Sequence, residues 1–344
     1  MRLLKNCTTV TFGVIAFNEQ AYISDLLNDL LAQTYPKELI EVILVDGNST
    51  DDTKKIMLDF QSVYLSNYHS IKVLDNPKRI QPVGWNIVIA HSTADVILRI
   101  DAHAKLPNDF IKTNMKCINS GEFVCGGPRI NIIDEDTPWK KMLLDSEQAM
   151  FGSGFASYRQ DTQEKKYVSS VFHGAYRKEV FERAGLFNEK LVRTEDNEIH
   201  YRIRNAGYQI CYSPEIKSYY QTRNSLEKLL KQKYQNGFWV GKTLFVSPKC
   251  LSVFHFVPFL FVIFSIMAVI LAITGLWEML AFLASLYFLF LSVTTVVCLV
   301  KNKNITDLLL PFVIFFIHIS YGIGTMIGII NDIKSKSSEN TTEG

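Results

Sequence analysis

The chain has 344 residues, of which 48% are hydrophobic, and its 36 basic and 34 acidic residues leave a net charge of +2. This length allows one substantial globular domain followed by a region of different composition. The small net charge gives no reason to expect a nucleic-acid partner. The six cysteines show no C-x-x-C or other metal-like spacing, which is typical of unpaired thiols in a reducing compartment.

Four apolar runs in the first hundred residues have the length of buried β-strands, and helical patterns alternate with them. The runs are Thr9–Ala16, Glu41–Val45, Ile71–Leu74 and Asp95–Ile100. Helices are expected from Ile23 to Leu31, up to about Tyr64, and over Val83–His91. This alternation predicts an α/β fold, with a mostly parallel sheet and helices on both faces.

Polar residues directly follow three of these strands. They are Asn18-Glu19, Asp46-Gly47-Asn48 and Asp101-Ala102-His103. A single aspartate after a strand is usually a turn former, but ligands of such sheets bind beyond the carboxyl ends of the strands. Three clusters at successive strand ends therefore predict one binding site.

Asp101 and His103 are two positions apart, so in extended backbone their side chains share a face. A carboxylate and an imidazole there can bind a divalent cation, either Mn²⁺ or Mg²⁺, and the imidazole favours Mn²⁺ somewhat. The alternative is a helix-capping turn before Pro107.

Another predicted helix begins after Thr194, the expected N-cap, with Glu195 and Asp196 in its first turn. Acidic residues there commonly only complement the helix dipole. Beside a metal site, a carboxylate at this position can instead act as a general base toward an acceptor hydroxyl.

A polar segment from Gly152 to Lys166 is a candidate mobile acceptor loop. His173 is either a core histidine or a substrate contact.

Residues 225–250 form a basic segment with apolar residues at helical spacing. The pattern predicts an interfacial helix that rests on membrane lipids, with Lys228, Lys231 and Lys233 facing headgroups. Trp239 in this helix either borders an acceptor or anchors the helix at the interface.

Three uncharged apolar runs follow, and each reaches the roughly 20 residues that a spanning helix needs. They are Phe254–Thr274, Met279–Leu299 and Leu308–Ile330. The expected organisation is a domain over residues 1–224, the interfacial helix over 225–250, three transmembrane helices over 251–331, and a polar tail over 332–344.

Lysines are distributed asymmetrically around these runs. Five precede the first run, two lie between the second and third, and Glu278 lies between the first and second. This bias places the N-terminus in the cytoplasm and the C-terminus outside, and Met1–Val10 shows no signal-peptide pattern. We therefore expect a multi-pass protein of the cytoplasmic membrane whose first domain is cytoplasmic.

These motifs resemble the GT-A fold, family 2 inverting glycosyltransferases, over residues 8 to about 240. The segments that carry the resemblance are Val14 to Glu19, Glu41 to Thr53, Arg99 to His103 and Thr194 to Asp196. The Asp-Ala-His variant and the segment from His173 to Arg177 are most similar to membrane-attached enzymes of bacterial exopolysaccharide assembly, of the succinoglycan glucosyltransferase type.

The resemblance implies a nucleotide-sugar donor, with UDP expected, and transfer to a hydroxyl of a membrane-associated, lipid-linked saccharide. It implies donor contacts at Ala16, Glu19, Asp46, Asn48, Arg79, Asn86 and Asp101. It further implies a divalent metal at Asp101 and His103, catalysis by Asp196 with Glu195 beside it, and acceptor-side positions at His173 and Trp239.

Two other functions stay open. A polyprenyl-phosphate glycosyltransferase has the same fold, but its ionised acceptor needs no strong base, so the Glu195-Asp196 pair favours a hydroxyl acceptor. A non-catalytic nucleotide-sugar sensor or transport subunit is opposed by the joint presence of Asp46, Asp101 and Asp196.

Overall fold

The computed structural model describes residues 8–149 and 163–342, with side chains through residue 335. Most of the candidate acceptor loop, from Gly152 onward, lies outside the described residues. The described chain divides into two compact units. The first contains residues 8–131 and 163–221, and the second contains residues 132–149 and 222–342.

Eleven strands are described. They are β1 (Val10–Ala16), β2 (Ile40–Asp46), β3 (Ser70–Asp75), β4 (Val96–Asp101), β5 (Ala104–Lys105), β6 (Val124–Gly126), β7 (Arg129–Ile132), β8 (Lys166–Val168), β9 (Ala175–Arg177), β10 (Ile210–Tyr212) and β11 (Ser218–Gln221). Eight of them form a sheet in the order β3-β2-β1-β4-β9-β6-β10-β8, and β5-β11-β7 form a small second sheet.

Eleven α-helices are described. They are α1 (Ile23–Leu31), α2 (Thr53–Tyr64), α3 (Gln81–His91), α4 (Phe110–Asn119), α5 (Pro138–Gln148), α6 (Glu179–Ala184), α7 (Glu195–Asn205), α8 (Leu226–Val246), α9 (Val257–Ile273), α10 (Trp277–Asn302) and α11 (Leu310–Thr342). The helices expected after β1, β2 and β3 are confirmed as α1, α2 and α3.

Both faces of the large sheet are buried, as the alternation of strands and helices predicts. On β2, Val42 and Leu44 pack into a cluster with α1, α2 and α4, whereas Ile43 and Val45 pack on the opposite face with α3, α6 and α7. Successive side chains of a strand point to opposite faces, so an unbroken apolar run is what a sheet covered on both sides requires.

The sheet is mixed rather than uniformly parallel. Strands β3, β2, β1 and β4 pair in parallel, as do β6 and β10. Strand β9 lies antiparallel between β4 and β6, and β8 lies antiparallel on β10. The predicted GT-A architecture, a mostly parallel sheet with flanking helices, is confirmed.

The second unit is helical. Three of its helical segments are long and apolar enough to cross a membrane, namely Val253–Ile273, Trp277–Asn302 and Ile305–Ser335. Large apolar side chains on α9 and α10 are exposed, including Ile273 at 81% and Phe288 at 69%. Such surfaces suit lipid rather than water, and the three predicted apolar helices are confirmed.

Helix α8 lies against α11 at very short range through glycines. A Cβ at Gly237 or Gly241 would clash with backbone carbonyl oxygens of Tyr321 and Thr325, and one at Gly328 would clash with the backbone of Phe238. Small residues four apart allow helix backbones to approach closely, as in membrane helix pairs. The close packing holds α8 along a predicted spanning helix.

The prediction that Lys233 faces lipid headgroups is wrong. Its ammonium group is buried and lies 3.0 Å from Glu147 of α5, and Leu229 packs with Met142 and Leu143 of that helix. A buried lysine needs a buried counter-ion, and Glu147 supplies it from a distant segment. Lys228 and Lys231 are exposed, and their contact with headgroups stays a prediction.

Candidate active site

The polar clusters that follow β1, β2 and β4 lie at one edge of the sheet. Ala16 pairs with Asp46 on β2, and Ile15 pairs with Asp101 on β4. Because these strands are parallel and in this register, their carboxyl ends coincide. The structure thus brings together the strand-end residues that the sequence singles out.

Asp46 is almost fully buried at the end of β2. Its Oδ2 atom accepts a hydrogen bond of 3.1 Å from the backbone N–H of Ser49. Its Oδ1 atom is buried and has no hydrogen-bond partner among the residues that the structure describes. Leaving a buried acceptor unsatisfied costs about 1–3 kcal/mol, so this oxygen suits a ligand N–H.

The loops around Asp46 have unusual backbone conformations. Asn18, Asn48 and Arg79 have φ angles of 55°, 60° and 58°. Residues other than glycine rarely adopt this left-handed region, and such strain concentrates at binding sites. The side chain of Asn18 stabilises the arrangement by accepting a 2.8 Å hydrogen bond from the N–H of Thr50. The side chains of Asn48 and Arg79 are exposed.

His103 and Glu19 form a polar pair beside the end of β4. Nδ1 of His103 lies 3.1 Å from Oε1 of Glu19. A carboxylate oxygen at this distance accepts the Nδ1–H, which in a neutral ring puts the lone pair on Nε2. Metal-binding histidines characteristically donate their other ring N–H to a carboxylate in this way.

The side chains of Asp101 and His103 therefore suit a divalent cation, with Asp101 supplying an oxygen ligand and His103 a nitrogen ligand. Among the described residues no group of three or more histidine, cysteine, aspartate or glutamate side chains is arranged to hold a metal ion. A bound ion would accordingly need further oxygen ligands from substrate and water, as Mg²⁺ and similar ions in phosphate sites usually do.

Asp101 also faces His173, a buried residue that lies 3.8 Å away between Nε2 and Oδ2. This separation is too long for a hydrogen bond. Burial opposes ionisation of Asp101, but His173, His103 and Arg99 more than offset it and hold its pKa well below the usual range. Burial lowers the pKa of His173, and the neighbouring carboxylate of Asp101 opposes that shift.

An arginine in contact with two aromatic rings adjoins this group. The guanidinium of Arg129 lies 4.5 Å from the ring centroid of Phe172 and 4.3 Å from that of Tyr220. The ring of Tyr220 meets the imidazole of His103 edge-on, at 5.1 Å. Sequence reasoning missed these residues because they come from segments about forty to ninety positions apart, with no shared motif.

Helix α7 brings two carboxylates to the site, in different environments. Glu195 is 2% exposed and accepts a 2.9 Å hydrogen bond from Nη2 of Arg99, whereas Asp196 is only half-buried. Burial and the charge of Asp196 raise the pKa of Glu195, and Arg99 opposes that rise. Asp196 accepts 2.8 Å from the N–H of Asn197. Of the two, Asp196 is the more accessible to a substrate.

Comparison with known proteins now assigns the chain. The sequence profile of the family described as glycosyl transferase family 2 matches residues 11–185, just over half of the chain. The chain belongs to this family. It is therefore a glycosyltransferase, as the motifs predict.

Two curated relatives cover much of this glycosyltransferase. It is 28% identical over 321 residues to the dolichyl N-acetyl-α-D-glucosaminyl phosphate 3-β-D-2,3-diacetamido-2,3-dideoxy-β-D-glucuronosyltransferase of Methanococcus voltae, covering 91% of this chain and 95% of that protein. It is 26% identical over 236 residues to the succinoglycan biosynthesis protein ExoA of Rhizobium meliloti (strain 1021), covering 67% of this chain and 68% of the relative.

A solved structure shares the fold over most of the length. The mannosyltransferase PcManGT from Pyrobaculum calidifontis, in complex with GDP-Man and Mn²⁺, aligns with a TM-score of 0.61 and 16% sequence identity. The alignment covers 92% of this chain and 86% of that one. At this identity the likeness concerns the fold alone.

Two predicted site residues of the glycosyltransferase have local partners that explain their positions. The side-chain amide of Asn86 accepts 2.8 Å from the N–H of Phe187 and donates 3.0 Å to its carbonyl, so it fastens the segment before α7 to α3. Trp239 belongs to the second unit, where the ammonium group of Lys242 lies 5.5 Å from its ring. The contacts of Asn86 favour a structural role for that residue, and the acceptor-side role of Trp239 stays a prediction.

Proposed function

We propose that the enzyme transfers a sugar from a UDP-sugar to a hydroxyl of a lipid-linked saccharide at the cytoplasmic membrane surface, with inversion at the anomeric carbon. The observation that carries the proposal is the difference between the two carboxylates of α7. Glu195 is buried against Arg99, whereas Asp196 is partly exposed. A carboxylate that a substrate can reach is what a hydroxyl acceptor requires.

The preference for a uridine nucleotide rests on Asp46. Its buried Oδ1 atom has no partner among the described residues, and the imide N–H of uracil is a donor of matching polarity. Pairing the two satisfies both buried groups. The strained loops at Asn48 and Arg79 border this position and would contact the nucleoside and its phosphates.

The diphosphate belongs at the end of β4. Asp101 and His103 would hold a divalent ion there, and Glu19 would orient His103. When bound, such an ion neutralises charge on the departing diphosphate. The low pKa of Asp101 keeps its carboxylate ionised at neutral pH, as a metal ligand requires.

The chemical step is a single displacement. The acceptor oxygen forms a bond to the anomeric carbon while the bond from that carbon to the diphosphate oxygen breaks. Asp196 takes the proton of the acceptor hydroxyl, and the electron pair of the broken bond leaves with the nucleoside diphosphate. A carboxylate in this role typically contributes about 10²–10⁴-fold to the rate.

The apolar helices and one of the curated relatives support the proposal of a lipid-linked acceptor. Three apolar helices suit a bilayer, and the exposed Lys228 and Lys231 suit a cytoplasmic headgroup layer. The Methanococcus voltae relative is named for transfer to a dolichyl N-acetylglucosaminyl phosphate through a 3-β linkage. An acceptor of that class offers a sugar hydroxyl next to the membrane.

The test uses the full-length protein in nanodiscs with a panel of UDP-, GDP- and dTDP-sugars. Each donor is supplied with no acceptor, with a polyprenyl phosphate, or with a polyprenyl-phosphate-linked N-acetylglucosamine. We expect transfer from a UDP-sugar to the lipid-linked sugar, with an anomeric configuration opposite to that of the donor. Transfer to the polyprenyl phosphate itself would instead establish the alternative acceptor, and nucleotide binding without turnover in any arm would indicate a sensor.

A further inference from the structure

Arg99 lies beneath the candidate active site and is almost inaccessible to solvent. It precedes Asp101 by two positions on β4 and is 7% exposed. Its guanidinium lies 5.1 Å from the ring centroid of Trp85 and 5.6 Å from that of Phe187. These aromatic contacts restrict the orientation of a flat, permanently charged group.

The guanidinium of Arg99 interacts with carboxylates on two different elements, β4 and α7. Nη2 donates to Oε1 of Glu195 across 96 positions of the sequence. Burial disfavours the charged guanidinium, but Glu195, Asp196 and Asp101 together more than offset that effect and raise the pKa of Arg99. A single positive charge therefore links the strand that ends in Asp101 to the first turn of α7.

The ion pair between Arg99 and Glu195 leaves polar atoms of both side chains unsatisfied. Nε of Arg99 and Oε2 of Glu195 are both buried without a hydrogen-bond partner among the described residues. A buried pair with unsatisfied atoms is often no more stable than an apolar pair of the same size. Its presence next to two predicted catalytic-site carboxylates needs another explanation.

We propose that Arg99 is a positioning residue, which acts through Glu195 to hold the first turn of α7 so that Asp196 faces the acceptor hydroxyl. This inference rests on the proposed role of Asp196 as the base. Arg99 itself touches no substrate. It fixes the distance between the strand-end site and the helix that carries the base, and a small error in that distance would slow the proton transfer.

Substitution of the Arg99 side chain leaves the backbone hydrogen bond of this residue in place. The backbone N–H of Arg99 donates 2.9 Å to the carbonyl of Gly174, next to His173, and substitution of the side chain leaves this bond intact. Arg99→Met is therefore selective for the guanidinium. Arg99→Met with Glu195→Gln removes both charges of the pair and restores charge balance in the interior.

The experiment measures kcat, donor KM, UDP affinity and the thermal midpoint. It compares Arg99→Met and Asp196→Asn with the variant that combines these two substitutions. We expect Arg99→Met to lower kcat about 100-fold, as a misplaced catalytic group does, with donor KM and UDP affinity within about threefold. In the Asp196→Asn background the same substitution should cause no further loss. Arg99→Lys should recover part of kcat, and Arg99→Met/Glu195→Gln should recover the thermal midpoint but not kcat.

Arg177→Met is the matched control. Arg177 is another buried arginine, 5.6 Å from the ring centroid of Phe123, and it donates to backbone carbonyls of Glu122 and Ile118. Its loss should lower the thermal midpoint with kcat of the folded enzyme nearly unchanged.

Three outcomes would overturn the positioning role. These are an equal loss from Arg99→Met with or without Asp196, a change confined to donor KM, and recovery of kcat together with stability in Arg99→Met/Glu195→Gln. If Asp196→Asn leaves transfer unchanged, the base assignment fails and the positioning role fails with it. If Asp196→Asn slows transfer but Arg99→Met does not, only the positioning role fails.

Discussion

Oε1 of Glu19 lies 3.1 Å from Nδ1 of His103, although 84 positions of sequence separate the two residues. Glu19 follows β1 and His103 follows β4, and these adjacent parallel strands end at the same edge. The sequence predicts a nucleoside contact for Glu19. The contact gives Glu19 a second proposed role, since a carboxylate on one ring nitrogen fixes the tautomer and orientation of a metal-binding imidazole.

Glu19→Ala is expected to weaken Mn²⁺ binding in the presence of UDP by roughly 10- to 100-fold, the usual effect of removing such a supporting partner. His103→Ala should weaken it to a similar degree, and the double variant should be no worse than His103→Ala alone. Calorimetric Mn²⁺ titration of the UDP-loaded protein checks this, with the exposed Glu38→Ala as control. Independent, multiplying losses would show that Glu19 does not act through His103.

Asp101→Ala should abolish transfer and raise the metal concentration needed for UDP binding, because the proposed metal site loses the carboxylate of Asp101. His103→Ala should be milder, since water can replace one ligand of an ion held mainly by diphosphate oxygens. Asp75→Ala is the matched control, because Asp75 ends another strand of the sheet, β3, but is exposed and paired with Lys54 at 2.6 Å. Full transfer by wild type in excess chelator contradicts the prediction.

Asp46→Asn should change the choice of base. Asparagine keeps one oxygen for the N–H of Ser49 but presents an NH₂ group to the uracil imide, so two donors oppose each other. UDP affinity should fall by roughly 10- to 100-fold, equivalent to about 1–3 kcal/mol. CDP, whose ring nitrogen is an acceptor, should lose less or gain. Equal losses for UDP and CDP in a binding titration would mean that Asp46 does not read the base.

His200 predicts a dependence of stability on pH. It is fully buried on α7, with hydrogen bonds to Tyr176 at 2.8 Å and Ser170 at 3.0 Å. Burial, with Arg99 and Arg204, lowers its pKa to about 3. In the unfolded chain His200 has a pKa of about 6.5 and binds a proton that it does not bind in the folded chain. The free energy of unfolding therefore falls as the pH falls below about 6.5.

The contribution of His200 that is lost by pH 5 is roughly 2 kcal/mol. His200→Gln removes the titration and keeps hydrogen-bonding groups, so its thermal midpoint should drop less between pH 7.5 and 5 than that of wild type. His69→Gln, at an exposed histidine, should behave like wild type. An identical drop for His200→Gln and wild type would contradict the assignment.

The first half of the fold could be predicted because its signals are local. The runs that form β1 to β4 are long, apolar and separated by helical patterns, and the run predicted over Thr9–Ala16 is a strand over Val10–Ala16. Strands β8, β9 and β10 have three residues each, too few for a periodic pattern to emerge. Their pairing depends on contacts between distant segments.

The same distinction applies to the site. Asp46 and Asp101 could be placed together because neighbouring parallel strands share an edge. The contact between Arg99 and Glu195 could not be, since nothing in either segment specifies the other across 96 positions. Lys233 illustrates the converse error, in which a local amphipathic pattern suggested headgroup contact while a distant glutamate provided the actual partner.

The kinetics of Asp196→Asn test the central claim most directly. Asparagine keeps the shape and the hydrogen bond to Asn197 but cannot take a proton, so UDP affinity should be unchanged while transfer to a lipid-linked saccharide falls by about 10²–10⁴-fold. Asp25→Asn, at an exposed first-turn aspartate of α1, is the matched control and should be fully active. Transfer by Asp196→Asn within a few-fold of wild type would contradict the account and leave Asp196 as a helix-dipole residue.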